Sequence, residues 1–318
     1  MQIVTVGTPV EDFVVHVSAQ YLAEHVGEVE SFGEVKELSV FQEKVKQLPT
    51  PAKECPGGSA LNTANALQGL RKNRCRHFGV IGSDELGKRF LQELARRGID
   101  SKLQIVDGET AQAICYVTPG GNRTFRNFLG VSHAMSALKI DPEMFVGCDL
   151  VHFDGYTILF EGLCEKVMKI AKEKRVAVSM NMPAFTIVAK HKDELLNLIS
   201  KNVDVVIANK KEAEILTGKG PEEACRELQK LCHTAVVTTG KEGGFVANAD
   251  GVIHFDSIPT EVVDTVGAGD WFAAGFLHLW LRKRPSKECA DLGAVLASEV
   301  IKIVGADLPP EKIRQVMD

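Results

Sequence analysis

Asp264-Thr265-Val266-Gly267-Ala268-Gly269-Asp270-Trp271-Phe272 sets three small residues directly in front of an aspartate. Behind Asp270, the residues Phe272, Ala273, Phe276, Leu277, Trp280 and Leu281 fall on one face at helical spacing. The pattern stops at Arg282-Lys283-Arg284-Pro285, with basic residues in the last turn and a proline after it. Gly267, Ala268 and Gly269 therefore form a tight turn that feeds a helix N-terminus. Free N–H groups there, with the positive end of the helix dipole, make an anion site. A carboxylate beside a bound anion is poorly explained as a binding group. Asp270 makes sense as a base that takes a proton from an attacking hydroxyl. Taken alone, the stretch fits a tight loop and helix cap as well.

Bulk properties narrow the choices. The 318 residues can hold one large α/β domain or two ordinary ones. The hydrophobic fraction of 45% and charged fraction of 25% are those of a globular protein. A net charge of −5 offers no basic surface to nucleic acid. The opening Met1-Gln2-Ile3-Val4-Thr5-Val6-Gly7 has no signal-peptide character, and no apolar run reaches bilayer length. Eight cysteines, none in a C-x-x-C pair, read as buried thiols of a reduced, cytoplasmic protein.

Outward from the opening stretch, glycine-bearing turns recur at strand ends. Residues 2–6 read as a buried strand, followed by Gly7-Thr8-Pro9-Val10-Glu11-Asp12. Pro56-Gly57-Gly58-Ser59-Ala60-Leu61-Asn62 leads into an alanine- and leucine-rich helix. After Phe78 to Gly82, Asp84 reads as a helix cap. From residue 149 onward strands and helices alternate: 150–153, 176–180 and 203–208 as strands, 162–174 and 193–200 as helices. Asn209-Lys210-Lys211-Glu212 follows the 203–208 strand, a spacing that also fits a capping box. Thr238-Thr239-Gly240-Lys241-Glu242-Gly243 closes another strand, and a hairpin turns at Asp250-Gly251. Residues 13–54 are irregular, with helical spacing only over Leu38 to Leu48. Residues 111–118 and 123–129 read as a hairpin around Pro119-Gly120-Gly121-Asn122. These two regions suggest a small sheet that projects from the main body. Residues 292–304 read as a closing helix.

Asp264-Thr-x-Gly-Ala-Gly-Asp270, Gly57-Gly58-x-x-x-Asn62, Asn209-x-x-Glu212, Val237-Thr238-x-Gly240-x-x-Gly243 and Gly7 with Asp12 stand in the order of the PfkB (ribokinase-like) family of sugar and nucleoside kinases. The chain resembles that family over nearly its whole length. The resemblance implies one α/β unit over 1–318, a mostly parallel sheet flanked by helices on both faces. It also implies a small β lid from about 13–54 and 107–133. It implies ATP-dependent phosphoryl transfer to a primary hydroxyl, with Asp270 as base and Gly267, Ala268 and Gly269 as anion hole. Asp12, Gly58 and Asn62, with Asn127 on the lid hairpin, would hold the acceptor. Asn209, Thr238, Gly240 and Gly243, together with Gly267 and Gly269, would lie along the nucleotide. Glu212 and Asn209 would organise Mg²⁺, largely through water, and Asp264 and Val266 would frame a K⁺ site. A monomer or a homodimer through the lid is expected.

The pattern departs from the family at Thr8, where asparagine is commoner, at Trp271, and in Ser179-Met180-Asn181-Met182-Pro183-Ala184-Phe185. Trp271 either narrows the site or packs behind it. No G-x-x-x-x-G-K-[ST] occurs, and residues 7–12 lack the G-x-G-x-x-G of a nicotinamide dehydrogenase. The insertion before Gly57 and the Asn122-Arg123 turn resemble adenosine kinase-like members. A nucleoside phosphorylated at its 5′-hydroxyl is the expected acceptor. A free sugar is the alternative. Val15, Val17, Tyr21, Leu22, Phe41, Phe125 and Phe128 either wall an apolar base pocket or form the lid's own core.

Overall fold

The structure is a computed structural model that describes residues 1–317 apart from 28 and 122, with backbone only at 310, 314 and 317. Asn122 of the hairpin turn thus lies outside the described residues. In chain order the strands are β1 (Gln2–Val6), β2 (Val10–His16), β3 (Phe32–Glu34), β4 (Lys53–Gly57), β5 (Arg74–Gly82), β6 (Asp100–Val106), β7 (Gln112–Val117), β8 (Arg123–Phe128), β9 (Leu150–Asp154), β10 (Ala177–Asn181), β11 (Val205–Asn209), β12 (Thr234–Thr238), β13 (Gly244–Asn248) and β14 (Gly251–Phe255).

Nine strands form the main sheet in the order β14-β13-β12-β11-β10-β9-β1-β5-β6. All pairings are parallel except those of the β13–β14 hairpin. Side chains alternate cleanly between two cores, as in a sheet covered on both faces. Val4, Val6, Val206 and Val237 pack with Leu163, Val167, Leu195 and Ala213 on one side. Ile3, Val205, Ile207 and Val236 pack with Leu61, Phe272, Phe276 and Leu296 on the other. The chain leaves β1 for β5 in one direction and for β9 in the other. This reversal of strand order opens a crevice beyond the carboxyl ends of β1 and β9, where ligands bind open α/β sheets.

The second sheet runs β3-β8-β7-β2-β4. Two helices of the 13–54 region cover it, Ala19–His25 and Leu38–Lys46. The spacing predicts only the second. The first spans seven residues, is held by Ser18 accepting from Tyr21 N–H, and buries only Leu22, so it leaves little periodic trace. The closing helix runs Ser286–Val300, earlier than its apolar spacing suggests, because the chain turns helical directly after Pro285. Asp84 does cap its helix, accepting from Gly87 N–H at 2.9 Å. Among the described residues no helix is long and apolar enough to cross a membrane.

A polar row crosses the main sheet at one register. Thr5 Oγ1 meets His77 Nδ1 at 2.8 Å, and Ser179 Oγ meets His152 Nδ1 at 2.9 Å. Burial pushes both imidazoles down to about 3, so each is held neutral.

Candidate active site

The Ala268–Trp280 helix starts at Gly267, whose φ of +75° lies in the left-handed region. A Cβ there would also collide with Cβ of Ala306, so the turn requires glycine. Asp270 is the third residue of this helix. It accepts from Ser59 Oγ at 2.6 Å through Oδ1, and from Asn62 Nδ2 at 2.9 Å through Oδ2. Both donors belong to the first turn of the Ser59–Gly69 helix. Two helix N-termini thus converge on one carboxylate. Burial raises Asp270 to about 6, while Ser59, Asn62, Arg123 and Asn181 act in the opposite direction. A carboxylate in that range is ionised at neutral pH yet basic enough to accept a proton.

A cavity of about 590 Å³ opens in front of Asp270. Asp12, Gly58, Asn62, Asn127, Asn209, Glu212, Thr238, Gly240, Val266, Gly267, Ala268, Gly269 and Asp270 all border it. The chain therefore gathers nearly every candidate residue at one crevice. Gly243 is an exception. It closes the β12–β13 turn, where its own carbonyl accepts from Thr239 N–H at 2.8 Å and its φ is +82°. Lys241 is exposed on the same turn. Asp264 stands behind the crevice, fully buried. It accepts from Val266 N–H at 2.9 Å and Gly305 N–H at 2.8 Å. Its carboxylate thereby pins the start of the Gly267 turn to the 304–306 segment. Trp271 is wholly buried and donates Nε1 to Ala306 O at 2.8 Å, so it packs behind the turn and does not narrow the cavity.

Asn209 and Glu212 form a complete capping box. Glu212 N–H donates to Asn209 Oδ1 at 2.9 Å. Asn209 donates N–H to Oε2 at 2.8 Å and Nδ2 to Oε1 at 2.6 Å. The capping and site readings of this motif are therefore compatible, since the same pair caps a helix and faces the cavity. Burial raises Glu212 to about 8, with the Asn209 N–H and Arg123 opposing. With both carboxylate oxygens engaged, this pair suits a hydrated cation held through water better than direct coordination. Among the described residues no group of three or more His, Cys, Asp and Glu could hold a metal directly.

Of the apolar side chains expected at a base pocket, Val15, Val17, Leu22, Phe41 and Phe128 form the small sheet's own core, with Tyr21 packed against it. Only Phe125 reaches the cavity, where Phe32, Tyr156, Phe160 and Phe185 join it. The rings of Phe32 and Tyr156 lie 5.6 Å apart. From the hairpin, Arg123 reaches across to donate to the carbonyl of Thr265, and Thr265 Oγ1 donates to the carbonyl of Gly121. The small sheet is thus tied to the Gly267 turn, and a guanidinium stands among Asp12, Glu212 and Asp270.

Asp154, Asn181 and Ser59 have no assignment from the sequence alone. Asp154 and Asn181 are the last residues of β9 and β10, and the carboxyl ends of parallel strands are where such residues can be sought. Ser59 directly follows Gly58, a residue already singled out.

Residues 26–313 match the pfkB family carbohydrate kinase. The chain belongs to this family. It is accordingly a phosphotransferase of the carbohydrate and nucleoside kinases, and membership implies ATP as donor, commonly with Mg²⁺. The adenosine kinase of Saccharomyces cerevisiae is 28% identical, with 98% of each chain covered. The crystal structure of adenosine kinase from Sinorhizobium meliloti superposes with a TM-score of 0.92 at 26% identity, covering 99% of this chain and 98% of that one. The 2-dehydro-3-deoxygluconokinase of Thermoproteus tenax is 26% identical over 73% of this chain and 75% of its own.

Proposed function

We propose that this kinase transfers the γ-phosphoryl group of ATP to the 5′-hydroxyl of a nucleoside, adenosine first. The observation that carries the reading is the divided character of the cavity. Asp12, Asn62 and Asp154 gather around Asp270 on its border, and its aromatic lining includes Phe32, which pairs with Phe125 and packs on Tyr156, together with Phe160 and Phe185. Paired acceptors and donors suit ribose hydroxyls, because an unmatched buried group is left without a partner. A flat aromatic wall suits a base and is wasted on a hydrated sugar. Likeness to two adenosine kinases supports the same choice.

In this reading Asp270 takes the hydroxyl proton as the oxygen attacks the γ-phosphorus and the β–γ bridging oxygen leaves with ADP. The N–H groups of Gly267, Ala268 and Gly269 receive the phosphoryl oxygens as charge builds. Thr238 and Gly240 border the path of the nucleotide. A second hollow of about 580 Å³, lined by Ile258, Val263, Val295 and Ser298, takes the ATP base beside the closing helix. Mg²⁺ would neutralise the phosphates, with Asn209 and Glu212 orienting its waters. Carbonyls of the Asp264–Val266 loop would frame K⁺. Asp12, Gly58, Asn62 and Asn127 hold the acceptor, and the small sheet acts as its lid.

Steady-state rates on adenosine, inosine, cytidine, ribose, fructose and 2-dehydro-3-deoxygluconate test the proposal. The expected order places adenosine highest in kcat/KM. If a free sugar exceeds every nucleoside, the nucleoside reading fails and the sugar-kinase alternative stands.

A further inference from the structure

Two buried oxygens at the cavity floor have no hydrogen-bond partner: Oδ1 of Asp154 and Oδ1 of Asn181. Such groups are few in a native fold, and each calls for an explanation. The two residues are in register on adjacent parallel strands, Asp154 on β9 and Asn181 on β10. Their side chains therefore leave the sheet on the same face. Exposure is 3% for Asp154 and 7% for Asn181. Asp154 is fixed on its other side, where Oδ2 accepts from Ala60 N–H at 3.2 Å and abuts Gly7 so closely that a Cβ there would collide with it. Asn181 also hydrogen-bonds Asp270. Since Asp270 is an acceptor when ionised, the amide nitrogen of Asn181 is the end that faces it.

The two acceptor oxygens lie on one face of adjacent paired strands and each lacks a donor, a need that one shared proton would meet. An ionised carboxylate cannot supply it, whereas a protonated one can. We propose that Asp154 is held protonated and donates through Oδ1 to Oδ1 of Asn181, so that Asn181 presents Nδ2 to Asp270 and acts as the positioning residue for the base. One proton then satisfies both orphaned oxygens. It also leaves a single negative charge, that of Asp270, on this part of the floor.

The groups around Asp154 agree with this arrangement. Asp270 faces it from the Ala268–Trp280 helix, Tyr156 from the segment after β9, and Cys164 from the Leu163–Lys174 helix. Burial holds the Cys164 thiol up at about 12 and raises Tyr156 further, so both stay neutral. Burial, assisted by Asp270 and opposed by the backbone N–H groups of Ala60, Thr157 and Tyr156, raises Asp154 to about 7. Two carboxyls sharing one site separate into one acid and one base. When Asp154 ionises, its proton passes to solvent. Asn181 then loses its donor, and a second carboxylate faces the incoming phosphates.

This inference rests on Asp270 as the base, and its test includes a readout that does not. Asp154→Asn carries a permanent donor at the same place. Its kcat/KM profile should hold its alkaline limb at least about one pH unit above wild type. The ratio of variant to wild-type kcat/KM should then rise roughly tenfold from pH 6.5 to pH 8.5. Superimposed limbs, or a raised acceptor KM with the limb unmoved, would make Asp154 a plain substrate contact and overturn the proposal. Infrared difference spectra of wild type minus Asp154→Asn at pH 6 should show the carbonyl stretch of a protonated carboxylic acid. Asn181→Leu, which removes the acceptor, should shift that band to higher frequency. A difference spectrum with carboxylate bands alone refutes the arrangement, whatever role Asp270 has in turnover.

Discussion

Asp270→Asn separates stability from catalysis in a way the structure specifies. The substitution keeps size and shape, so Ser59 Oγ and Asn62 Nδ2 retain a neighbour in place. At worst Asn62 or Asn181 loses its acceptor, a loss of about 1 kcal/mol. Against this stands the strain of holding a charge. Burial moves the Asp270 carboxyl from 3.8 to about 6. A carboxyl raised on folding contributes fully below its unfolded value and loses that contribution as pH rises through its folded value. At pH 8 the wild type therefore carries the whole penalty, at most roughly 3 kcal/mol from 1.36 kcal/mol per pH unit. The partial exposure of Asp270 reduces it, and a net of about 1 kcal/mol in favour of Asn is expected. Turnover should fall at least ~10²-fold, the usual weight of a general base. Urea unfolding at pH 8 and pH 5, with ATP turnover on the preferred acceptor, measures both. The variant should match or exceed wild-type stability at pH 8 and lose the advantage at pH 5. A variant with near wild-type turnover, or one clearly less stable at pH 8, would refute the reasoning.

Three further outcomes are expected. Glu212→Gln keeps one acceptor oxygen of the helix cap but removes the carboxyl that a nearby cation would ionise, so the Mg²⁺ concentration for half activity should rise several-fold; a titration that overlays wild type reduces Glu212 to a cap. K⁺ should activate the enzyme over Na⁺, because the Asp264 carboxylate holds the 264–266 loop and Gly305 together; equal rates in chloride salts of the two cations remove the idea. His152 titrates at about 3 when folded against 6.5 when unfolded, so its contribution is present above 6.5 and lost as pH falls. The stability gap between wild type and His152→Met should therefore shift against wild type by about 2–3 kcal/mol between pH 7 and pH 4.5, as read by denaturant titration.

Much of this protein follows from local sequence. The Gly267–Gly269 turn and the Asn209–Glu212 spacing each carry a backbone requirement that only a few residue types meet, so their reading survives without coordinates. Alternation of apolar runs from residue 149 onward likewise specifies a sheet covered on both faces. Apolar spacing in the 13–54 region is less telling, because a side chain facing the small sheet's own core and one facing a ligand need the same residue types. Phe41 and Phe125 look alike in sequence, yet one fills a core and the other borders the cavity.

What the tertiary structure alone decided lies between elements remote in the chain. Ser59 and Asp270 are 211 residues apart and meet only because two helix N-termini converge. Asp154 and Asn181 become neighbours through the register of β9 on β10, and neither carries a local signal of its role. Arg123 reaches the Gly267 turn only when the small sheet folds over the crevice. Local sequence fixes backbone conformation because sterics act over a few bonds. The protonation of a buried carboxyl depends on which distant groups share its low-dielectric space, and only the packed fold brings them there.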